Sequence, residues 1–354
     1  NLIKRRGKII IDPTIPQFKL IKKIADKKDL KLLTVFDSDS DLELVSHHYE
    51  NNFQILEIKI RNKKYIIKLN LIGKIQVKNV LMSILAAIKS GVDINSIIKS
   101  IIYLKPAEGR LEKVGELKNN SKVILDYAHT PQALSTVLTN IKEQFPKAKI
   151  RLVFGCGGDR DKAKRSKMGR IASKFADVIY LTDDNPRSEN PKKIRSDIKK
   201  GIKANKLTEI PNRKKAILNC IKDLSSGDIA IIAGKGHEKT QDYNGKKKFL
   251  SDRKEILKSI NFKNKELFKD KRLNIIQEKT KLLSKKLKFN DASINSKDLG
   301  QNDIFFAVKG KKHDGNKFLK EAINKKASLV ITNKINKKSL LSKQIKVSNT
   351  LKFL

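Results

Sequence analysis

The feature that most restricts the possible fold is an alternation of apolar and polar segments between residues 150 and 187. Ile150 to Phe154 is a short apolar run that ends in a glycine-rich turn, which is typical of a buried parallel strand. From Lys164 to Phe175 apolar residues recur at helical spacing, and a second apolar run follows from Val178 to Leu181. Strand, turn, helix and strand in this order predict one unit of a parallel α/β sheet.

The same alternation continues on both sides of this unit. The further predicted elements are strands Val123 to Asp126 and Asp228 to Ala233, and helices Pro131 to about Gln144, Pro191 to Ala204 and Arg213 to Leu224. Four strands joined by helices favour a Rossmann-like parallel sheet with right-handed crossovers. Ligands of such sheets bind beyond the carboxyl ends of the strands, so the polar residues that follow each strand are candidates for a site.

The segments outside this sheet divide the chain further. Residues 1–104 indicate the end of an α/β domain, with predicted strands Lys8 to Ile11, Leu32 to Val35, Phe53 to Ile60 and Lys64 to Leu69 and helices Ile21 to Lys28, Val80 to Ser90 and Ile94 to Tyr103. Residues 105–262 form a second predicted domain, and 263–288 a lysine-rich linker or solvated helix. Residues 289–354 are a third α/β unit, with strand Asp303 to Val308, helix Asn316 to Ala327 and strand Ser328 to Thr332.

The strongly basic composition suggests one class of partner that the sequence does not otherwise support. With 79 Lys and Arg against 37 Asp and Glu, the formal net charge is +42, which is typical of nucleic-acid-binding proteins. However, the basic residues are spread along the whole chain, aromatic residues make up only 6%, and there is no Trp to stack on bases. We therefore attribute the charge to a compositional bias that polyanionic substrates would favour, and nucleic-acid binding stays an alternative.

Cysteine content and hydropathy exclude other classes of protein. Cys156 and Cys220 are the only cysteines, too few for a disulfide framework or a zinc site. The longest apolar stretch, Val80 to Ile88, is too short to span a bilayer, and the first residues hold no signal-type apolar core. We therefore expect a cytoplasmic protein that is not inserted in a membrane.

The turn after Phe154 superficially matches a dinucleotide-binding fingerprint. Gly155, Gly157 and Gly158 follow a predicted strand, as close approach to a pyrophosphate requires. The third glycine of that pattern would fall at Arg160, whose side chain blocks close packing, so a nicotinamide enzyme is the weaker interpretation. The sequence also contains no G-x-x-x-x-G-K-[ST] phosphate-binding loop.

Two short segments carry residues suited to binding an amino acid. DNPR at residues 184–187 places a carboxylate, an amide and a guanidinium within four residues, a set that can bind both the ammonium and the carboxylate of an amino acid. The alternative is an ordinary capped turn before the next helix. GKGHE at residues 234–238 is either a glycine turn with a helix cap or a pocket wall with a functional Glu. Asp126 could cap a turn or bind ribose hydroxyls, and His129 could be structural.

Five motifs taken together resemble those of the Mur ligase family, most closely of its diaminopimelate-adding members. In chain order they are GR at 109–110, DYAHTP at 126–131, FGCGGDRD at 154–161, DNPR at 184–187 and GKGHE at 234–238. By this resemblance, residues 1–104 are the end of a central ATPase domain, and Gln76 stands where the family usually has Asn. Residues 105–262 would then be the Rossmann-like C-terminal ligase domain, which binds the incoming amino acid.

The resemblance also implies a reaction. ATP, with Mg²⁺, would phosphorylate UDP-N-acetylmuramoyl-dipeptide, and the amine of meso-diaminopimelate would attack the acyl phosphate to form an amide bond for peptidoglycan synthesis. The implied roles are catalytic for Arg110 and Asp126, ATP-binding for Asn79, Arg110, Asp126 and His129, and amino-acid-binding for Arg160, Asp184, Asn185, Arg187, Gly234 and Glu238. Because Arg187 can pair with the distal carboxylate of diaminopimelate, which lysine lacks, we predict diaminopimelate over lysine.

Residues 289–354 resemble the UDP-binding N-terminal domain of a second Mur ligase, with Ser296 as the residue that contacts the UDP-substrate. The family usually has Asp-Ser-Arg where this chain has Asn295-Ser296-Lys297. This order of domains suggests a fusion with the D-alanyl-D-alanine-adding ligase, truncated here. The phosphate-binding loop, magnesium ligands and modified lysine of the family would precede Asn1, so we expect no ligation by this chain alone. A non-catalytic Mur-like protein is the further alternative.

Overall fold

The computed structural model describes residues 6–50, 52–280, 291–310, 313–335 and 343–353. The chain forms two compact units, Asn1–Lys263 and Asn264–Leu354. The first unit contains two large sheets, each with its own apolar core, and a two-stranded hairpin. The predicted domain boundary at residue 104 lies inside this first unit and stays a prediction. In the described part of the chain, no helix is long and apolar enough to cross a membrane.

The N-terminal sheet is mixed. Its strands, in the order in which they pair, are β1 (Lys8–Ile11), β2 (Lys31–Phe36), β3 (Leu42–Glu50), β4 (Phe53–Ile60) and β5 (Lys63–Leu69). The first three strands are parallel to one another, and β3, β4 and β5 are antiparallel neighbours. The helices of this half are α1 (Phe18–Lys27), α2 (Lys74–Lys89) and α3 (Ile94–Ile101). Every second residue of β4 is buried, as expected for a strand with one face on the core.

Two elements of this half differ from the sequence prediction. The sequence does not predict β3, because only its first residue, Leu42, is buried and no apolar alternation follows. The helix predicted to begin at Val80 begins at Lys74. Gly73 precedes it with a φ of 90°, a conformation that favours glycine, and the polar side chains of the first turns are exposed or half-buried.

The second sheet confirms the predicted parallel α/β architecture. It has the strand order β10-β9-β8-β11-β7-β6 and consists of β6 (Glu112–Glu116), β7 (Lys122–Asp126), β8 (Ile150–Phe154), β9 (Val178–Leu181), β10 (Leu207–Glu209) and β11 (Ile229–Ala233). All neighbours are parallel except β6, which is antiparallel to β7. Its helices are α4 (Pro131–Gln144), α5 (Lys164–Phe175), α6 (Pro191–Lys199) and α7 (Arg213–Lys222). The central strands β7, β8 and β11 are almost wholly buried, which explains their predominantly apolar sequences.

The sequence does not predict the short or polar elements at the margins of this sheet. These are β6, β10 and the hairpin of β12 (Thr240–Tyr243) and β13 (Lys246–Phe249). All residues of β13 are exposed, so its sequence, KKKF, contains no core-facing pattern. Helix α8 (Asp252–Thr280) follows and includes residues 263–280 of the predicted linker, whose role stays a prediction. Residues 281–290 of that linker lie outside the described residues.

Two amide side chains of α4 join the halves of the first unit. Gln144 accepts a hydrogen bond from the backbone N–H of Gly73 (2.9 Å) and donates one to the carbonyl of Asn52 (3.1 Å). Asn140 accepts a bond from the N–H of Ile75 (3.3 Å). These bonds satisfy backbone donors at the start of α2, which have no partner within the helix. The contacts therefore fix α2, which carries Asn79, relative to the second sheet.

The second unit is a small parallel sheet. Its strands, in the order in which they pair, are β14 (Ala292–Ser293), β15 (Ile304–Phe306), β16 (Leu329–Thr332) and β17 (Lys343–Lys346), with helices α9 (Leu319–Asn324) and α10 (Thr350–Phe353). The predicted strands at β15 and β16 are present. The predicted helix Asn316 to Ala327 forms as a 3-10 turn, Gly315–Phe318, followed by the shorter α9.

Candidate functional site

The polar segments after β7, β8, β9 and β11 meet at the carboxyl edge of the second sheet. Two cavities lie along this edge. The first, of about 800 Å³, includes residues 184–187 in its wall, and we call it the DNPR cavity. The second, of about 600 Å³, is lined by Asn79, Arg110 and Asp126, and we call it the Arg110 cavity. Thr130 and Gln132 line both cavities, so the two adjoin.

The DNPR cavity brings together every residue predicted to bind the amino acid. Its wall includes Arg160, Asp184, Asn185, Arg187, Gly234 and Glu238. These residues come from the ends of three strands that are neighbours in the sheet although they are distant in the sequence. The six residues therefore line one cavity, as a single binding site requires.

Asn185 and Glu238 are held together at one side of this cavity. The amide of Asn185 donates to Oε2 of Glu238 (3.0 Å), and the hydroxyl of Tyr127 donates to Oε1 (3.4 Å). The ammonium of Lys235 donates to both Asn185 Oδ1 (2.9 Å) and Glu238 Oε2 (3.1 Å). Burial raises the pKa of Glu238, but the positive charge of Lys235 and these hydrogen bonds outweigh it, so the pKa is lowered overall.

Asp184 has a different environment in the same cavity. Its side chain is 7% exposed, and its carboxylate accepts no hydrogen bond from any of the described residues. Burial is the largest influence and raises the pKa of Asp184, although the charges of Arg213 and Lys235 oppose it. A buried carboxylate without a donor is suited to a cationic group that enters the cavity.

Gly234 allows Asp184 to occupy this position. Its φ of 115° is one that residues with a side chain rarely adopt, and a Cβ there would lie 2.6 Å from Oδ2 of Asp184. Glycine is therefore required at position 234 for two reasons, the backbone conformation and the close approach of the Asp184 carboxylate.

Arg187 is oriented by the backbone of a neighbouring loop. Its guanidinium donates to the carbonyl oxygen of Gly158 (2.7 Å), and its backbone N–H donates to the carbonyl of Asp242 in β12 (3.0 Å). A Cβ at Gly157 would lie 2.8 Å from Nη1 of Arg187, so the glycine turn provides the space for the guanidinium. One bond uses only part of the donor capacity of an arginine, which leaves N–H groups for a carboxylate.

The Arg110 cavity is built mainly on backbone hydrogen bonds. The carboxylate of Asp126 accepts bonds from the N–H groups of Leu111 and Ala128, both at 2.7 Å. It therefore caps the turn that carries Arg110, one of the two roles left open by the sequence. Burial raises the pKa of Asp126, whereas these two bonds and the charge of Arg110 lower it. Burial has the larger effect, so the pKa is raised overall. The guanidinium of Arg110 lies over the ring of Tyr127, 4.9 Å from its centroid.

The remaining predicted residues lie in different places. His129, grouped by the sequence with the ATP-binding residues, lines the DNPR cavity, and its Nδ1 is 2.9 Å from the carbonyl oxygen of Tyr127. Arg160 is exposed at the cavity wall. Ser296 belongs to the second unit, where it is 4% exposed and donates to Glu321 (2.9 Å). The described residues contain no cluster of three His, Cys, Asp or Glu that could hold a metal ion.

Sequence reasoning missed three charged residues beneath the DNPR cavity. Arg213 and Asp252 form an ion pair (2.7 Å) in which both side chains are fully buried, and Arg213 also donates to the carbonyl of Ala233 at the end of β11 (2.9 Å). Lys235 is fully buried as well. For Lys235, the one signal in the sequence was its position between two glycines after an apolar strand. For Arg213 and Asp252 there was no signal, because the two residues are 39 positions apart in the sequence.

Comparisons with known proteins show what the segment that forms this site is similar to. Residues 109–236 match the family model for the Mur ligase glutamate ligase domain. A UDP-N-acetylmuramoyl-L-alanyl-D-glutamate–2,6-diaminopimelate ligase of Rickettsia montanensis is 37% identical over 73% of this chain and 53% of its own length. The ligase of the same name from Buchnera aphidicola subsp. Baizongia pistaciae is 44% identical over 56% of this chain and 39% of its own length.

A solved structure of a ligase of this name agrees as well. It superposes with a TM-score of 0.56 at 30% identity, over 72% of this chain and 53% of its own length. The chain thus spans about half the length of the curated relatives it matches. The matched segment contains or adjoins the five motifs that surround the two cavities. Residues 109–236 of this chain therefore form a Mur ligase C-terminal domain.

Proposed function

We propose that this chain is part of an ATP-dependent ligase that adds meso-diaminopimelate to UDP-N-acetylmuramoyl-L-alanyl-D-glutamate. The observation that carries the proposal is the pair of adjoining cavities, in which, among the described residues, Arg110 has no ion-pair partner and the buried carboxylate of Asp184 has no hydrogen-bond donor. The names of the similar ligases support the same substrates. We place the reaction in the cytoplasm, as the family resemblance implies.

The Arg110 cavity is suited to the phosphates of ATP. Among the described residues, Arg110 has no ion-pair partner and only the ring of Tyr127 against its face. In the proposed reaction, the terminal phosphoryl group of ATP passes to a carboxylate of the UDP-linked dipeptide, which yields ADP and an acyl phosphate. Arg110 would stabilise the negative charge that develops on the phosphoryl oxygens. Mg²⁺ would neutralise phosphate charge when bound.

The DNPR cavity is suited to a diamino dicarboxylic acid. Arg187 would pair with the distal carboxylate, while Asp184 and Glu238 would receive the distal ammonium. The other amine would attack the acyl carbon, forming the amide bond as phosphate leaves with the bonding electron pair. The amine releases a proton during this step. L-Lysine has no distal carboxylate, so it would leave the guanidinium of Arg187 without its anionic partner.

Calorimetric titration of the full chain with meso-diaminopimelate and with L-lysine tests the proposal. We expect meso-diaminopimelate to bind more tightly and Arg187→Ala to reduce its affinity by about tenfold or more, as for loss of a hydrogen-bonded charge. Arg170→Ala, an exposed arginine on α5, is the matched control. Equal affinity for the two amino acids would overturn the diaminopimelate preference, and binding of neither would overturn the substrate assignment.

We further propose that the second unit is the beginning of a D-alanyl-D-alanine-adding ligase, with Ser296 near the UDP-substrate. Support comes from its parallel sheet and from the motifs that carry the resemblance. Titration with UDP should show binding that Ser296→Ala weakens. Unchanged affinity in this variant would remove Ser296 from the proposed site.

A further inference from the structure

Lys235 is a buried cation at the edge of the DNPR cavity that no role has yet explained. It lies directly after β11, and its side chain is 0% exposed. An ammonium group removed from water is strongly destabilising unless it is paired and hydrogen-bonded. A leucine or methionine could fill the same space, so the presence of a charge here requires a reason.

Both acceptors of this ammonium are side chains of the cavity wall. Lys235 donates to Asn185 Oδ1 at 2.9 Å and to Glu238 Oε2 at 3.1 Å. Asn185 Oδ1 also accepts the backbone N–H of Asp242 (3.1 Å), and its amide nitrogen donates to Glu238 (3.0 Å). The amide therefore has one satisfied orientation, with its oxygen towards Lys235 and its nitrogen towards Glu238. Rotating it by 180° would place two donors against Lys235 and Asp242.

We propose that Lys235 is a positioning residue that fixes the amide of Asn185 and the carboxylate of Glu238 in the orientation that receives the ammonium group of the amino-acid substrate. This proposal rests on the proposed function for the identity of the ligand. It adds a residue that touches no substrate but determines what its two neighbours present to the cavity.

The charges around Glu238 show why a cation is needed there. Glu238 faces Lys235 and the hydroxyl of Tyr127 directly, and it interacts at longer range with Asp184 and Arg213. Burial alone favours the neutral acid, which would be a poor partner for an ammonium group. The charge of Lys235 is the largest influence that opposes burial, so Glu238 stays ionised.

The first test is the titration of Glu238 in the ligand-free chain, followed by carboxyl carbon NMR. In wild type the pKa of Glu238 is lowered, and in Lys235→Met the opposing influence of burial remains, so we expect the pKa to rise by about one unit or more. Lys239→Met is the matched control, because it removes the same charge from an exposed position in the same loop. An unchanged pKa in Lys235→Met would overturn the proposal.

The second test measures binding of meso-diaminopimelate against pH. We expect Lys235→Met to weaken the binding of meso-diaminopimelate about tenfold at neutral pH. As the pH is lowered, the variant should lose its remaining affinity at a higher pH than wild type, because its Glu238 becomes protonated at a higher pH. Weakening that is the same at every pH would indicate general damage to the cavity and would contradict the proposal.

Two further outcomes distinguish a failure of the proposed function from a failure of the role proposed for Lys235. If wild type binds no diaminopimelate, the proposed function fails, while the titration of Glu238 still decides the role of Lys235. If Lys235→Met does not fold, the wild-type side-chain nitrogen resonance of Lys235 should shift with the same midpoint as Glu238. Absence of that shift would overturn the proposal.

Discussion

The two cavities at the carboxyl edge of the second sheet differ in how their charged side chains are held. In the Arg110 cavity, the buried Asp126 accepts hydrogen bonds from two backbone N–H groups, and the exposed Arg110 forms no ion pair with another described residue. In the DNPR cavity, the buried Lys235 bonds to Asn185 and to the half-buried Glu238, while the carboxylate of Asp184 accepts no hydrogen bond from the described residues. Within the described residues, the Arg110 cavity thus presents a cation, and the DNPR cavity presents both the carboxylate of Asp184 and the guanidinium of Arg187, as the proposed ATP and diaminopimelate sites would require.

This difference has consequences for stability. The ion pair of Arg213 and Asp252 and the ammonium of Lys235 are fully buried next to the DNPR cavity, so changes there disturb charges that water cannot reach. Arg110 is exposed, and the buried Asp126 beside it keeps its two backbone hydrogen bonds when Arg110 is lost. We therefore expect mutations at the two cavities to have different effects. Changes at the DNPR cavity should alter stability, whereas changes at Arg110 should alter ligand binding alone.

The largest effect is expected for Asp252→Asn. This change leaves Arg213 charged and buried without its anionic partner, and we expect the free energy of unfolding to fall by about 3–5 kcal/mol. Equilibrium unfolding in urea measures it. Asp29→Asn, which removes an exposed partner of Arg6, is the control and should change stability by no more than about 1 kcal/mol. Similar losses in the two variants would show that burial of the Arg213 pair has little importance.

Gly234→Ala should have the next largest effect. The added Cβ requires an unfavourable φ and lies against Asp184, so we expect a loss of about 2–4 kcal/mol, combining backbone strain and overpacking. Gly245→Ala is the matched comparison, because its φ is also positive, at 76°, but nothing lies near its Cβ. We expect the loss at Gly245 to be smaller by about half, and equal losses would remove the contact with Asp184 as a cause.

Asp184→Asn should change stability in the opposite direction. The pKa of Asp184 is raised in the folded state, so ionisation of this carboxyl group opposes folding. The protonated group stabilises the folded state fully at a pH below the pKa of the unfolded chain, and this stabilisation is lost as the pH rises through the pKa of the folded chain. At neutral pH the variant should gain about 0.5–2 kcal/mol of stability while losing affinity for meso-diaminopimelate. Urea unfolding at pH 7 and pH 4 checks this, since the gain should shrink in acid. A variant less stable than wild type at pH 7 would contradict the interpretation.

The smallest effect on stability is expected for Arg110→Ala, within about 0.5 kcal/mol, because the side chain is exposed and unpaired. Its affinity for ATP should fall, whereas its affinity for meso-diaminopimelate should stay within about twofold of wild type. Calorimetry with each ligand separates the two. A joint loss of both affinities would show that the cavities are one site and would break the comparison.

The local pattern of the sequence was sufficient for the central architecture, and the family resemblance supplied most of the candidate residues. Buried parallel strands such as β8 and β11 are continuous apolar runs, and the turns that follow them must contain the polar and glycine residues of a site. The six residues predicted for amino-acid binding therefore lie around one cavity, because each follows a strand at the same edge of one sheet or lies in the turn beyond it. Their roles stay predictions until binding is measured.

Tertiary structure alone decided how these residues are held. Strands β3, β6 and β13 carry few buried side chains, so their pairing depends on neighbours and leaves no periodic signal. Lys235 bonds to Asn185, 50 residues away, and Arg213 to Asp252, 39 residues away. A charge in a sequence is most often solvated, and only the folded chain shows whether water or a distant side chain is its partner. The sequence thus determined which chemical groups reach the edge of the sheet, and packing determined which of them remain free to bind a ligand.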